Sequence, residues 1–268
     1  MRAQIRRMQR EFERKVANAS AGGAPKHVTR FLTEDETDVL REDGFERVRA
    51  AGLVHVTNLS VCDWLVKSIT TFAKDVSSYV PGHFDAFAKV YHPISNHDVE
   101  PVRTLRWQEV VPDQGERAVQ RMWFDPFKDL VPDGFEPRRG TLPFEIIEPM
   151  LAALRPATTT PDECYFGVWE GFGGSVVPQS LQPRLQLPAR GYHVFRGTID
   201  EIRVDFNFCF PGQTSNKPWR RQSANIWWPA DHAWCVLSEI DLHGTYVGGS
   251  KACIDALLAS SELEATYV

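Results

Sequence analysis

Residues Ser223 to Leu258 read SANIWWPADHAWCVLSEIDLHGTYVGGSKACIDALL, and the pattern of this stretch decides the fold. The runs SANIWW and AWCVLSEIDL are β-branched and aromatic, and Pro229-Ala230-Asp231-His232 between them has turn chemistry. A β-hairpin is therefore predicted. His243 to Gly249 reads as a glycine turn into a helix, with Ser250 as N-cap and Ile254, Leu257 and Leu258 on the apolar face.

Working outward, Cys164-Tyr-Phe-Gly-Val-Trp-Glu170 is apolar on both faces, the mark of a central strand covered on both sides. Gly191 to Gly197 reads as a short strand. Glu201 to Phe210 alternates, with Ile202, Val204, Phe206, Phe208 and Phe210 inward, so one face of that part of the sheet is expected to meet water. Further upstream, Thr33 to Glu36 is a capping box that starts a short helix ending near Gly44. A strand is expected over Gly52 to Val56. A helix from Ser60 presents Val61, Leu65, Ile69, Phe72, Ala73 and Val76 on one face, and Gly82 to Pro93 is a further strand. Residues 94–163 read as loops and short helices pinned by Trp107 and Met122-Trp123-Phe124, with Pro149 opening a helix through Leu154. Strands close in sequence imply antiparallel pairing. The expectation is an α+β fold: one domain over residues 28–268, with a mainly antiparallel sheet in the C-terminal half and helices from the N-terminal half and the C-terminus packed on it.

The segments FDAFAKVYHP (84–93), LRWQEV (105–110), TTTPDECYFGVWEGFG (158–173), LPARGYHVFRG (187–197) and SANIWWPADHAWCVLSEIDLHGTYVGGS (223–250) together resemble an uncharacterised family of bacterial proteins, found mainly in actinobacteria. The resemblance spans roughly residues 80–268 and implies one coherent domain. It implies no activity, cofactor or catalytic residue.

Composition narrows the class of protein. Forty-three per cent apolar residues and eight tryptophans describe a chain that buries a core. No apolar run reaches the length of about 20 residues needed for a membrane span. No secretory leader opens the chain, so a soluble, unexported protein is expected. The five cysteines, Cys62, Cys164, Cys209, Cys235 and Cys253, are odd in number and set mostly among apolar residues, which fits buried thiols in a reducing cytoplasm. Residues 1–16, MRAQIRRMQREFERKV, place Ile5, Met8, Phe12 and Val16 at helical spacing among six basic and two acidic residues. Residues 1–27 therefore read as a basic amphipathic helix and a flexible linker (18–25); the helix is expected to pack on its own body or to be an extension before the true start codon, the alternative being a segment that docks on a membrane surface, nucleic acid or a partner. The rest of the chain holds 24 basic and 33 acidic residues, a charge of −9. Such a body is a poor general binder of nucleic acid, whose phosphates demand Lys and Arg.

Two constellations carry the functional expectations. If the strand runs from 234 to 243, Trp234, Val236, Ser238, Ile240 and Leu242 form a core face. Cys235, Leu237, Glu239, Asp241 and His243 then share the other, where Glu239, Asp241 and His243 stand as candidate catalytic or metal-ligating residues. Trp219, Arg220, Arg221, Trp227 and Trp228 crowd residue types that dominate interface hot spots. Trp227 and Trp228 must point to opposite faces. The leading expectation is a non-catalytic cytoplasmic binding or regulatory protein that holds a protein partner through this Trp/Arg region, a class that includes immunity proteins. The alternative is a metal-assisted hydrolase on Glu239, Asp241 and His243, and no cofactor is indicated by a motif. Three weaker signals complete the reading. His83-Phe-Asp85 has facial-triad spacing if His193 or His232 joins it. Gly248-Gly-Ser250 reads as a plain turn and cap rather than an anion site, and Cys235 as a buried thiol.

Overall fold

The computed structural model describes residues 34–97, 102–110, 131–207 and 221–268. Its centre is an antiparallel sheet built from β1 (Val54–His55), β2 (Ala86–Tyr91), β6 (Cys164–Trp169), β7 (Leu185–Leu187), β8 (Arg190–Gly197), β9 (Ile226–Pro229), β10 (Trp234–Ser238), β11 (Gly244–Gly249) and β12 (Ala265–Tyr267). The spatial order is β1-β8-β6-β9-β10-β11-β2-β12, with β7 also paired to β8. A separate small sheet has the order β4-β3-β5, with β3 Ile94–Asn96, β4 Arg103–Leu105 and β5 Glu136–Pro137. Helices α1 (Glu34–Ala50), α2 (Asp63–Ser68), α3 (Trp107–Val110), α4 (Ile147–Leu154) and α5 (Lys251–Ala259) complete the α+β architecture.

Both faces of the main sheet are buried. On one, Phe45 and Val48 of α1, Met150 and Leu154 of α4, and Ile254 and Leu257 of α5 pack against Phe166, Phe195, Trp227, Trp234, Val236 and Val247. On the other, Cys62, Leu65 and Ile69 around α2, with Tyr79 and Val80, cover Tyr165, Val194, Ile226, Trp228, Cys235, Leu237 and Tyr246. Cys164–Trp169 is the doubly covered strand expected from its composition, lying between β8 and β9. Ser250 caps α5 by accepting from the Cys253 amide.

Five sequence expectations need correction. The helix expected from Ser60 to carry Phe72, Ala73 and Val76 on its apolar face stops at Ser68, where Ile69 is already extended, and Phe72 is exposed. Helix α1 does not stop at Gly44 but runs to Ala50. A Cβ at Gly44 would overlap the Val176 side chain, so this glycine serves close packing rather than termination. His243 to Gly249 is largely a strand: β11 pairs with β10 and β2, and Gly248 is bare because Phe84 lies where its Cβ would be. The first part of the Glu201–Phe210 run forms a 3-10 helix over Ile199–Arg203, capped by Thr198, and residues 208–210 lie outside the described residues. Its buried pair Ile199 and Ile202 has the i, i+3 spacing of that helix. The strand expected over 234–243 ends at Ser238, and Ile240 is only half-buried.

A buried polar seam ties the 138–142 segment to the sheet. His92 bonds through Nδ1 to the Arg138 carbonyl and through Nε2 to Thr245 Oγ1, each at 2.8 Å. Thr245 Oγ1 lies 2.6 Å from Ser238 Oγ. Asn225 Nδ2 donates to the carbonyls of Gly140 and Ser238. Complete burial holds the His92 pKa down at about 3, so the ring is neutral. The His-Thr-Ser series is wholly enclosed and acts as an internal brace.

Candidate functional site

The described residues that bring charge, aromatic surface and exposure together centre on Arg190. This residue opens β8 directly after the β7–β8 hairpin, whose closing pair is Leu187 and Arg190. Pro188 at the first central position and Ala189 at φ 63° at the second make the arrangement of a type II turn, in which the second residue takes a left-handed backbone.

From that turn the guanidinium reaches across the sheet. Its Nε and Nη2 donate to Glu239 Oε1 at 3.1 and 2.6 Å, and Nη2 also donates to Asp241 Oδ2 at 2.8 Å. The same guanidinium lies 4.8 Å from the Phe72 ring centre and 5.7 Å from that of Trp169, which Phe172 meets edge-on at 5.1 Å. Exposure rises outward. The Glu239 side chain is 5% exposed, Arg190 16% and Asp241 56%, and Phe72 is 39% exposed. Burial acts to lower the Arg190 pKa, and the hydrogen bond and charge of Glu239, with the charge of Asp241, outweigh it. The trio carries a net charge of −1.

Tyrosines back the trio on the same side of the sheet. Tyr79 stacks on Tyr246 with centroids 4.7 Å apart. Burial, helped by the Glu239 charge, pushes the Tyr79 and Tyr192 phenols well above their usual range, so they remain protonated donors.

The carboxylates expected on one strand face are brought together, but not by a strand. Residues 239–242 form a tight turn closed by the Leu242 amide donating to the Glu239 carbonyl at 3.0 Å. This turn presents Glu239 and Asp241 to Arg190 and sends Leu242 into the core. His243 has a different partner, its Nε2 lying 3.2 Å from Arg139 Nε. Among the described residues no group of three His, Cys, Asp or Glu is placed to hold a metal ion. A metal at Glu239 and Asp241 would have to displace Arg190.

Comparison of the chain with protein-family models, with curated proteins and with solved structures returns no match.

Of the hot-spot residues, Trp227 and Trp228 point to opposite faces as alternation requires, and both are wholly buried. Trp227 packs on Phe166 and Trp234, and Trp228 on Tyr165 and Trp64. They are core residues, so the binding role expected for them is corrected. Arg221 stands apart from Arg190, with its guanidinium 4.4 Å over the Phe144 ring and its backbone carbonyl accepting from Arg138. Trp219 and Arg220 lie outside the described residues. His83 stacks on Phe84, while His232, at φ 55°, stacks on Trp64 at 4.2 Å.

Sequence reading did not single out Arg190, because its carboxylate partners lie 49 and 51 residues away. The available signal was the Pro188-Ala189 turn between two short apolar runs, which places the next residue at a strand end.

Proposed function

We propose that the protein is a binding or regulatory protein without its own catalysis, and that it engages a basic protein partner through Phe72, Trp169, Arg190 and Asp241. The observation that carries this reading is the Arg190 cluster. A guanidinium clamped between two rings and two carboxylates is pre-ordered, so little side-chain entropy is lost when a partner covers it. Arginine and tryptophan are the residue types most often found at interface hot spots. The acidic body and the negative trio together favour a cationic partner surface. A reducing, cytoplasmic setting goes with this reading, since the four described cysteines are buried free thiols with pKa values raised by burial.

The test is capture from an extract of the source organism on immobilised wild-type protein, Phe72→Ser, Asp241→Lys and Val54→Ser. Val54 is 57% exposed and lies away from the cluster on the β1 edge. A protein retained by the wild type and Val54→Ser but lost from both cluster variants, with retention weakening as salt rises, is the expected result. Equal retention on all four proteins would place the interface elsewhere.

A further inference from the structure

Every nitrogen of the Arg190 guanidinium is engaged: Nε and Nη2 donate to Glu239 and Asp241, and Nη1 donates to the Ala189 carbonyl at 3.3 Å. Its two carboxylates are less complete. Glu239 takes both of its side-chain hydrogen bonds on Oε1 and Asp241 takes its one on Oδ2, so Glu239 Oε2 and Asp241 Oδ1 accept nothing from the described residues. For Asp241, which stands half in water, a spare oxygen is ordinary. Glu239 is only 4% exposed, and an enclosed carboxylate oxygen is expected to have a donor. Both carboxylates close on the same nitrogen, Nη2, so the two spare oxygens belong to one small region beside it.

The surroundings supply further acceptors and an apolar flank. Trp169 of β6 is the register partner of Tyr192 on β8, so both share a face with Arg190, two residues before Tyr192. Tyr79 and Tyr192 are each 2% exposed, yet neither hydroxyl is hydrogen-bonded within the described residues, and both phenols are coupled to the Glu239 charge. Phe72, partly exposed, and Trp169 bring ring surface up to the same guanidinium.

We propose that the partner presents a single lysine here, its ammonium donating to Glu239 Oε2 and Asp241 Oδ1 beside Arg190. The inference rests on the partner-binding reading of the cluster and names the residue that the cluster reads. Two carboxylates around one guanidinium leave one negative charge, and one monovalent cation cancels it without displacing Arg190. An ammonium has three N–H donors on a compact head, so two meet the spare carboxylate oxygens and the third is left for a phenol oxygen. Its alkyl stem packs on the rings of Phe72 and Trp169 while the head stays among polar atoms. A guanidinium is broader and holds its donors in one plane, a shape suited to one carboxylate face on rather than to converging on two from beside another guanidinium.

The experiment titrates the full chain, labelled with ¹⁵N-tryptophan, with Nα-acetyl-lysine methylamide in low salt, the Trp169 indole signal being assigned from Trp169→Phe. Over about 1–20 mM, the range in which so small a ligand binds, the lysine probe should shift that signal. The norleucine analogue, which has the stem without the charge, should not, and the arginine analogue should bind several-fold more weakly. Glu239→Gln and Asp241→Asn should each weaken the lysine probe several-fold, and Asp241→Asn, at the exposed end of the trio, decides the matter if Glu239→Gln does not fold. An unmoved Trp169 signal, an equal shift with norleucine, equal or tighter binding of arginine, or unchanged affinity in Asp241→Asn overturns the proposal. Acetylating the lysines of the extract before capture separates this inference from the reading beneath it. The cluster-dependent protein should then be lost. Its continued retention would overturn the lysine contact and leave the partner reading standing, whereas a response to the lysine probe with no protein held by the cluster would overturn the partner reading alone.

Discussion

At the scale of single residues, the Arg190 trio contains two ion pairs of unequal weight. Glu239 is enclosed and accepts two of the three hydrogen bonds, whereas Asp241 stands half in water. Removing the partner of a buried charge leaves that charge uncompensated, so Arg190→Met should destabilise by about 3–5 kcal/mol. Asp241→Asn removes a screened, exposed pair and should cost less than about 1 kcal/mol. Urea denaturation of the two variants distinguishes them, and equal losses would show that Glu239 does not depend on Arg190. His193 allows a second prediction with a defined sign. Its folded pKa lies below the unfolded value near 6.5, so its stabilising contribution is complete above that pH. The contribution declines as pH falls from 6.5 toward about 4, because the unfolded chain takes up a proton that the folded ring refuses. By pH 5 the loss should be on the order of 1–2 kcal/mol. The gap in stability between His193→Leu and wild type should accordingly widen in favour of the variant on going from pH 7.5 to pH 5. A gap independent of pH would mean that the folded ring takes up its proton as readily as the unfolded chain does, and that burial does not lower its pKa.

At the scale of elements, glycine decided where the sequence could be read. Ser250 as N-cap, the Pro229-Ala230-Asp231-His232 turn and the doubly apolar β6 were legible because each has a local signature. Gly44 and the Gly244–Gly249 strand were not, because these glycines answer to distant neighbours, Val176 in one case and Phe84 and Lys89 in the other. The candidate site was half legible for the same reason. Glu239 and Asp241 announce themselves as close carboxylates, while Arg190 is tied to them only by the pairing order of strands. Gly44→Ala tests the packing account. Helix propensity alone would favour alanine by about 1 kcal/mol. Overlap with Val176 should outweigh this and leave a net loss of about 1–3 kcal/mol. Much of that loss should disappear on a Val176→Ala background, where the space is open. A stabilised single variant in thermal melts would show that α1 and the Ser175–Val177 segment are not in contact.

At the scale of the whole molecule, the sheet separates two apolar cores that share every strand between β8 and β11. Adjacent residues of β10 therefore belong to different cores, Val236 to the one under α1, α4 and α5 and Leu237 to the one under α2 and Tyr79. Alternation read from sequence assigned only the even positions to a core, and on that reading Leu237→Ala would be mild. With both faces covered, Val236→Ala and Leu237→Ala should each cost about 2–4 kcal/mol. Their effects should add to within about 0.5 kcal/mol, since the side chains do not touch across the sheet. Trp227 and Trp234 report on one core and Trp228, with Trp64 and Trp169 packed against it, on the other, so replacing Trp227 or Trp228 by Phe shifts the balance of the fluorescence signal toward the opposite side. If the two cores form one cooperative unit, the urea transitions of Trp227→Phe and Trp228→Phe should each coincide with the far-ultraviolet circular dichroism transition of the same variant. A fluorescence transition displaced from the backbone transition in only one variant would mean that one cover leaves the sheet before the other, and the shared strands would not be enough to couple them.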